Sequence, residues 1–128
     1  MSATNLVQHL TLLPDMKKRL LAETEPVLRQ AEQTGLVRSL TTEMVDGFTF
    51  TSNCFYESLR MEPPTSVSGA ACFSKDTRIC GVNFAKDLGF VIMIFLMHRD
   101  RKEWMDPDAF IPDRFDSSSP HSQRPDGG

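Results

Sequence analysis

The chain lacks the features that mark secreted or nucleic-acid-binding proteins. Its three cysteines, Cys54, Cys72 and Cys80, form no C-x-x-C motif and cannot all pair with one another. This count favours reducing, intracellular surroundings over a disulfide-stabilised secreted domain. The N-terminus has no basic start followed by a continuous apolar run, so it does not read as a signal peptide. The formal net charge of -3 gives no reason to expect nucleic acid or anionic lipid as a partner.

Long apolar segments are also scarce. The longest is residues 88–97, with the sequence LGFVIMIFLM, and it reaches only about half of the ~20 residues that a membrane-spanning helix needs. Its composition instead predicts a buried β-strand. With 128 residues, of which 40% are hydrophobic, the chain is long enough for one domain with its own core.

Hydrophobic periodicity predicts helices in the first half of the chain. Residues 2–13 repeat apolar side chains at helical spacing, and Pro14 begins a second helix that ends at Gly35. Residues 52–62 predict a further helix that stops at the double proline after Glu62, because proline cannot continue a helix and pushes its predecessor towards extended geometry.

The polar residues of these helices predict structure and no chemistry. Lys17, Lys18 and Arg19 are typical of a solvated helix face. His9 has no second His or Cys three or four residues away, so we interpret it as a surface or inter-helix residue. Before the next helix, Thr41 or Thr42 can serve as the N-cap.

Beyond the prolines the sequence changes character. Residues 65–73 and 77–84 are alternating or β-prone, which predicts short strands. Residues 98–116 are aromatic, charged and punctuated by proline, which is typical of an ordered irregular loop. Residues 121–128 are polar and rich in chain-breaking residues, which predicts a mobile tail. The expected fold is therefore mixed, mainly α with a small β-sheet (α+β).

One ordered set of motifs carries functional information. Glu57 and Arg60 form an E-x-x-R pair on one face of a predicted helix, a pattern that occurs by chance in many helices. Here the pair is followed by Pro63-Pro64 and, later, by residues 98–115, HRDRKEWMDPDAFIPDRF. The set resembles the cytochrome P-450 family of haem-thiolate monooxygenases, with Arg114 at the arginine position of the family's second signature.

The resemblance has several implications. Residues 1–120 would form a partial cytochrome P-450 domain, in which Glu57, Arg60 and Arg114 build a buried cluster that braces the haem-binding loop. Four residues match a segment that faces substrate in the family: Thr65, Ser66, Val67 and Ser68. The implied cofactor is haem, and the implied partners of the parent enzyme are a small lipophilic organic substrate and an electron-donor reductase. Anchored members of the family carry their membrane helix far upstream of the region matched here.

The stretch CFSKDTRICG imitates the family's haem-ligating loop. Phe73, Arg78 and Cys80 have the spacing of that loop, but Asp76 and Val82 stand where it needs glycines for a tight turn. The stretch also precedes the arginine signature, whereas the loop follows it in the family. We therefore predict that Cys80 is a buried strand residue and not an iron ligand.

The family's chemistry is consequently not expected of this chain by itself. No residue is assigned a catalytic or metal-ligating role, because neither the axial cysteine loop nor the oxygen-activating glycine with its acid–alcohol pair is found in the sequence. The expectation is that the 128 residues alone have no monooxygenase activity, and whether the chain is itself an enzyme stays open.

The sequence leaves three interpretations of the chain open. It is part of a haem-thiolate monooxygenase, or a non-catalytic remnant that acts as a structural or interaction subunit, or an unrelated α+β domain. The third requires E-x-x-R, the double proline, the tryptophan segment and PDRF to be independent accidents. If the chain is part of a monooxygenase, the apolar run within residues 88–97 would, once separated from the larger domain, expose a surface that needs a protein partner or aggregates.

Overall fold

The structure, a computed structural model, describes residues 2–33, 35 and 41–122. Its first half is helical, with α1 at Ser2–Leu12, α2 at Pro14–Gln33, α3 at Thr42–Asp46 and α4 at Thr49–Met61. Its second half contains short strands, one short helix and turns. The mixed α+β class predicted from the sequence is confirmed.

Local signals set the limits of the helices. Pro14 opens α2, where a missing N–H costs nothing because the first helical N–H groups have no partner within the helix. Gly35, just beyond α2, has φ +71° and donates its N–H to the carbonyl of Glu32 at 3.1 Å. That left-handed conformation suits glycine. Thr41 is the residue that caps α3, since its hydroxyl accepts the N–H of Met44 at 3.4 Å.

The strands form two antiparallel pairs. β1 (Ala71–Cys72) pairs with β4 (Gly89–Phe90), and β2 (Thr77–Ile79) pairs with β3 (Val82–Phe84). The rings of three phenylalanines hold the pairs together, with Phe73 lying 5.2 Å from Phe84 and 4.8 Å from Phe90 between centroids.

The prediction that Cys80 is a buried strand residue was wrong. Cys80 and Gly81 form the two-residue turn between β2 and β3, with φ +49° and +83°. A tight hairpin turn of this kind needs positive φ at both positions, which glycine supplies readily at the second. The Cys80 side chain is exposed at the turn, and the residue belongs to neither strand.

The prediction of a buried strand over residues 88–97 was also wrong. Only Gly89–Phe90 is strand, and the chain then turns into the short helix α5 (Ile94–Met97). The apolar side chains of residues 88–97 are largely exposed, with Leu96 at 58% and Val91 at 51%. The backbone N–H of Ser68 donates to the carbonyl of Ile92, and the N–H of Phe95 donates to the carbonyl of Ser66. No helix within the described part of the chain combines the length and apolar composition needed to cross a membrane.

The interior of the described molecule is unusually polar. α1, α2 and the 3-10 turn at Pro112–Phe115, here called the arginine turn, all pack against α4. Among the described residues four apolar residues are buried, Ala31, Cys54, Pro107 and Pro112, whereas six polar or charged residues are buried: Thr24, Asn53, Glu57, Ser58, Arg60 and Arg114. The centre of the fold is therefore held largely by hydrogen bonds and charge.

Candidate functional site

α4 carries a buried ion pair. Glu57 and Arg60 lie three residues apart on one helical face, and their exposures are 0% and 3%. Arg60 Nε donates to Glu57 Oε2 at 2.7 Å, and Arg60 Nη2 donates to Glu57 Oε1 at 2.9 Å. The planar guanidinium thus bonds both carboxylate oxygens, which fixes its orientation.

The same carboxylate reaches the arginine turn. Glu57 Oε1 accepts the Nε of Arg114 at 3.2 Å and the backbone N–H of Ile111 at 2.9 Å. Arg114 is 6% exposed. Glu57 therefore links α4 to a turn 57 residues further along the chain.

Backbone carbonyls satisfy the remaining arginine donors. Arg60 Nη1 donates to the carbonyl of His98 at 2.7 Å, and Arg114 Nη2 donates to that of Asp106 at 2.6 Å. The remaining bonds go from Arg60 to Ala109 and from Arg114 to Met105 and Ala109. The irregular segment 98–116 is thus ordered by two guanidinium groups that bind its backbone.

The balance of charge explains why the cluster must be complete. One carboxylate faces two guanidinium groups, so the cluster of Glu57, Arg60 and Arg114 carries a net positive charge inside the fold. A buried charge without partners is very costly. The carbonyl dipoles, together with the ring of Trp104 whose centroid lies 5.2 Å from the Arg60 guanidinium, supply the remaining stabilisation.

The carboxyl end of α4 is bound by two side chains that the sequence did not suggest. The Nδ1 of His98 lies 3.1 Å from the carbonyl of Arg60, and Arg99 Nη1 donates to the carbonyl of Met61 at 2.7 Å. The last carbonyls of a helix have no partner within it and favour positive charge. These contacts join residues 38 apart, so no local pattern could reveal them.

α2 contributes two further residues. Arg19 was predicted to lie on a solvated face, but it makes a two-pronged salt bridge with Asp113, at 3.0 and 2.9 Å. Chiefly because of the hydrogen bond to Asp113, the pKa of Arg19 is raised above its ordinary value.

Glu23 accepts the N–H groups of Phe50 and Thr51, both at 2.8 Å, and the Thr51 hydroxyl at 2.7 Å. Burial raises the pKa of Glu23, but these bonds outweigh it and leave the pKa lowered.

The cysteines do not fit a haem-thiolate centre. Cys54 is fully buried, and burial raises the pKa of its thiol to about 12, so it stays neutral near pH 7. Cys72 and Cys80 are exposed, on β1 and on the β2–β3 turn. A haem-thiolate site needs a deprotonated sulfur facing the iron in a water-poor pocket, and none of the three thiols has such surroundings.

The segment Thr65–Ser68 is hydrogen-bonded to residues 92–95, at the beginning of α5. The N–H of Ser68 donates to the carbonyl of Ile92 at 2.8 Å, and the hydroxyl of Ser68 accepts the N–H of Ile92 at 2.7 Å. Ser66 accepts the N–H of Phe95 at 3.1 Å. Val67 is 40% exposed, so the segment presents an apolar side chain to the surface.

Comparison with known proteins gives a consistent result. The family model described as Cytochrome P450 matches residues 2–127. Cytochrome P450 4d2 of Drosophila melanogaster is 31% identical over 107 residues, 84% of this chain and 20% of that protein. Cytochrome P450 4F4 of Rattus norvegicus is 28% identical over 94% of this chain and 22% of its own length. Leukotriene-B4 omega-hydroxylase 3 of Mus musculus is 29% identical over 88% of this chain and 20% of its own length. The chain thus spans about a fifth of these curated relatives.

Proposed function

The chain belongs to the cytochrome P450 family, and on that premise we propose that it is the structural brace of a haem-thiolate monooxygenase. Such an enzyme inserts one oxygen atom from O2 into an organic substrate. In this assignment Glu57, Arg60 and Arg114 hold the scaffold on which the haem-binding loop rests, and none of them transfers a proton.

The observation that carries the proposal is the completeness of the buried cluster. Glu57 bonds both arginines and the backbone of Ile111, so α4 and the arginine turn cannot separate without exposing unpaired charge inside the protein. In the family, the haem-binding loop follows the arginine signature. A rigid arginine turn would therefore fix the point from which that loop starts.

Haem is the cofactor that the family implies, and when held by an axial thiolate it supplies the iron centre that activates O2. The described residues do not provide that thiolate, because Cys54 is buried as a neutral thiol and Cys72 and Cys80 lie exposed on the hairpins. We therefore assign no catalytic or metal-ligating residue and infer that these 128 residues alone have no monooxygenase activity.

Thr65, Ser66, Val67 and Ser68 are the proposed substrate-facing residues. The half-exposed Val67 and the backbone bonds that tie Ser66 and Ser68 to residues 92–95 support this role. The name of the mouse relative, leukotriene-B4 omega-hydroxylase 3, agrees with a lipophilic substrate class. Electrons would come from a reductase partner of the whole enzyme.

A second proposed partner is the rest of the enzyme's own domain. The exposed apolar side chains within residues 88–97 form what we call the apolar surface: Leu88, Phe90, Val91, Ile92, Met93, Phe95, Leu96 and Met97. Exposed apolar patches of this kind mark interaction sites or aggregation sites. Because the matched relatives are about four times as long as this chain, their additional polypeptide is the natural occupant.

The alternative function is that of a non-catalytic remnant, kept as a structural or interaction subunit. The same cluster and apolar surface would serve it, with a separate protein as occupant. The coding sequence on either side of this chain distinguishes the two. An in-frame F-x-x-G-x-R-x-C-x-G loop downstream supports the monooxygenase, and transcript start and stop signals at these termini support the remnant.

The inactivity of the chain alone is tested with haem and carbon monoxide. Purified chain is mixed with haem, reduced, and exposed to carbon monoxide, and its Soret band is compared with that of an intact family member. The expected spectrum lacks the thiolate-type band. A thiolate-type band would contradict the assignment, and single substitutions of Cys54, Cys72 and Cys80 to Ser would then identify the ligand.

A further inference from the structure

The cluster of Glu57, Arg60 and Arg114 joins α4 to the arginine turn, and no contact between sequence neighbours fixes the distance between these two elements. Glu57 and Arg60 belong to one helix, so their contact is fixed by helical geometry. Arg114 lies on the arginine turn, and its contact with Glu57 closes a loop of 57 residues. Its 3.2 Å bond to Glu57 is also longer than the 2.7 Å bond that Arg60 Nε makes.

Arg19 on α2 binds both of these elements. Its two terminal nitrogens donate to the two carboxylate oxygens of Asp113, the residue just before Arg114. Its guanidinium carbon also lies 3.9 Å from the centroid of the Phe50 ring, in the first turn of α4. A two-pronged bond restricts the angle as well as the distance between its partners, so Arg19 sets where the arginine turn lies relative to α4.

Glu23 holds the other end of this arrangement. α4 has Phe48 at its N-cap position, with no side-chain cap of its own, and the first N–H groups of a helix need acceptors. Glu23 supplies them from another helix by accepting Phe50 N–H, Thr51 N–H and the Thr51 hydroxyl. Its negative charge at a helix N-terminus is favourable as well.

The two holding residues share one face of α2. Arg19 and Glu23 are four residues apart, which places their Cβ atoms about 5–6 Å from each other on the same side of a helix. Arg19 contacts the arginine turn, and Glu23 contacts the start of α4. Cys54 of α4 lies among these groups, since its thiol interacts electrostatically with Arg19, Glu23, Asp113 and Glu57.

We propose that α2 acts as a clamp, in which Arg19 and Glu23 are positioning residues that set the contact between Glu57 and Arg114. The Arg19–Asp113 pair is half exposed, at 51% and 32% for the two side chains, and an exposed ion pair contributes little to the stability of a protein. Its role is therefore in geometry more than in stability. The clamp concerns contacts within this chain and does not depend on the proposed role in haem binding.

The test is amide and guanidinium hydrogen exchange, measured by NMR on the full chain. In the unmodified chain, the Nε–H protons of Arg60 and Arg114 are buried and bonded, so they should exchange slowly. In the Arg19→Ala variant, the Nε–H of Arg114 should exchange at least about tenfold faster, while that of Arg60 keeps its rate because its acceptor, Glu57, lies three residues away on the same helix. Arg19→Lys, which keeps the charge but lacks the fork, should give a smaller change in the same direction.

Glu23→Gln provides an independent arm. The amide protons of Phe50 and Thr51 should exchange several-fold faster in this variant, because an amide side chain offers one acceptor oxygen where the carboxylate offers two. Arg29→Ala is the matched control on α2, since Arg29 forms an exposed pair with Glu25, and it should leave every one of these protons unchanged.

Two results would overturn the clamp. If Arg19→Ala accelerates the Arg60 and Arg114 protons by the same factor, the substitution acts through overall stability and not through position. If neither proton responds while the unmodified chain shows both protected, the Glu57–Arg114 contact does not depend on α2. Both outcomes leave the haem proposal untouched, so failure of one can be distinguished from failure of the other.

Discussion

The substitution Glu57→Gln tests whether the buried charges hold the fold together. The carboxylate accepts hydrogen bonds from Arg60 Nε, Arg60 Nη2, Ile111 N–H and Arg114 Nε. Glutamine has nearly the same shape, but an NH2 group replaces one of the carboxylate oxygens and places a donor opposite the arginine donors. The substitution also leaves two buried guanidinium groups without any carboxylate.

The expected loss is large for a single atom change. Removing one partner of a buried ion pair costs about 3–5 kcal/mol, against a total stability of about 5–15 kcal/mol for a typical domain. The matched control is Glu25→Gln, which makes the same chemical change in a pair that is mostly exposed, with Glu25 at 50% and Arg29 at 73%. That control should cost only about 0.3–0.5 kcal/mol.

Urea unfolding measures the difference. The far-ultraviolet circular dichroism of the helices and the fluorescence of Trp104, the single tryptophan, report the transition at one fixed protein concentration for all variants, so that any association affects them equally. Glu57→Gln should lower the midpoint far more than Glu25→Gln. Equal shifts for the two variants would refute the idea that the cluster is a buried structural unit.

Two further predictions concern the thiols and the apolar surface. Near pH 8, a thiol reagent should modify Cys72 and Cys80 quickly and Cys54 only as fast as the protein unfolds. Burial raises the pKa of the Cys54 thiol from 9.0 to about 12. The contribution of the neutral thiol to the stability of the fold is therefore complete below pH 9 and is lost as the pH rises towards 12. Fast labelling of all three would contradict this burial. Val91→Lys with Leu96→Lys should reduce self-association in sedimentation, and a chain that is already monomeric before substitution would contradict a demand for a partner.

The helices could be predicted because their signals are local. Pro14 and Gly35 mark the limits of α2 within the sequence itself, through a fixed φ at one end and a positive φ at the other. The pair Glu57 and Arg60 could likewise be placed on one face from spacing alone. Arg114 could be added only through the family resemblance, because no periodic pattern links it to α4.

The contacts of α2 could not be predicted from the sequence. Arg19 and Asp113 are 94 residues apart, and in the sequence Arg19 is simply the last of three adjacent basic residues on a helix. The same is true of Glu23, which caps a helix that begins 26 residues later. Long-range polar contacts leave no periodic trace, since each residue alone is typical of a helix surface.

The two errors in the second half have different physical origins. An apolar run such as residues 88–97 predicts burial on the assumption that the chain itself supplies the covering layer. The described residues offer no such layer, so the run is only briefly a strand and stays exposed. Cys80 was wrongly placed in a strand because β-prone residues flank it on both sides. Cys80 and Gly81 both have positive φ and form a turn, which the flanking residues do not indicate.

The central claim is that Glu57 and Arg114 act as one unit across 57 residues of chain. A double-mutant cycle with Glu57→Gln, Arg114→Met and the double variant measures this by urea unfolding. The account predicts that the double variant is more stable than the sum of the single losses implies, by about 0.5–3 kcal/mol, because the second substitution removes a charge that the first left unpaired. Losses that add to within about 0.3–0.5 kcal/mol, as distant residues show, would contradict it.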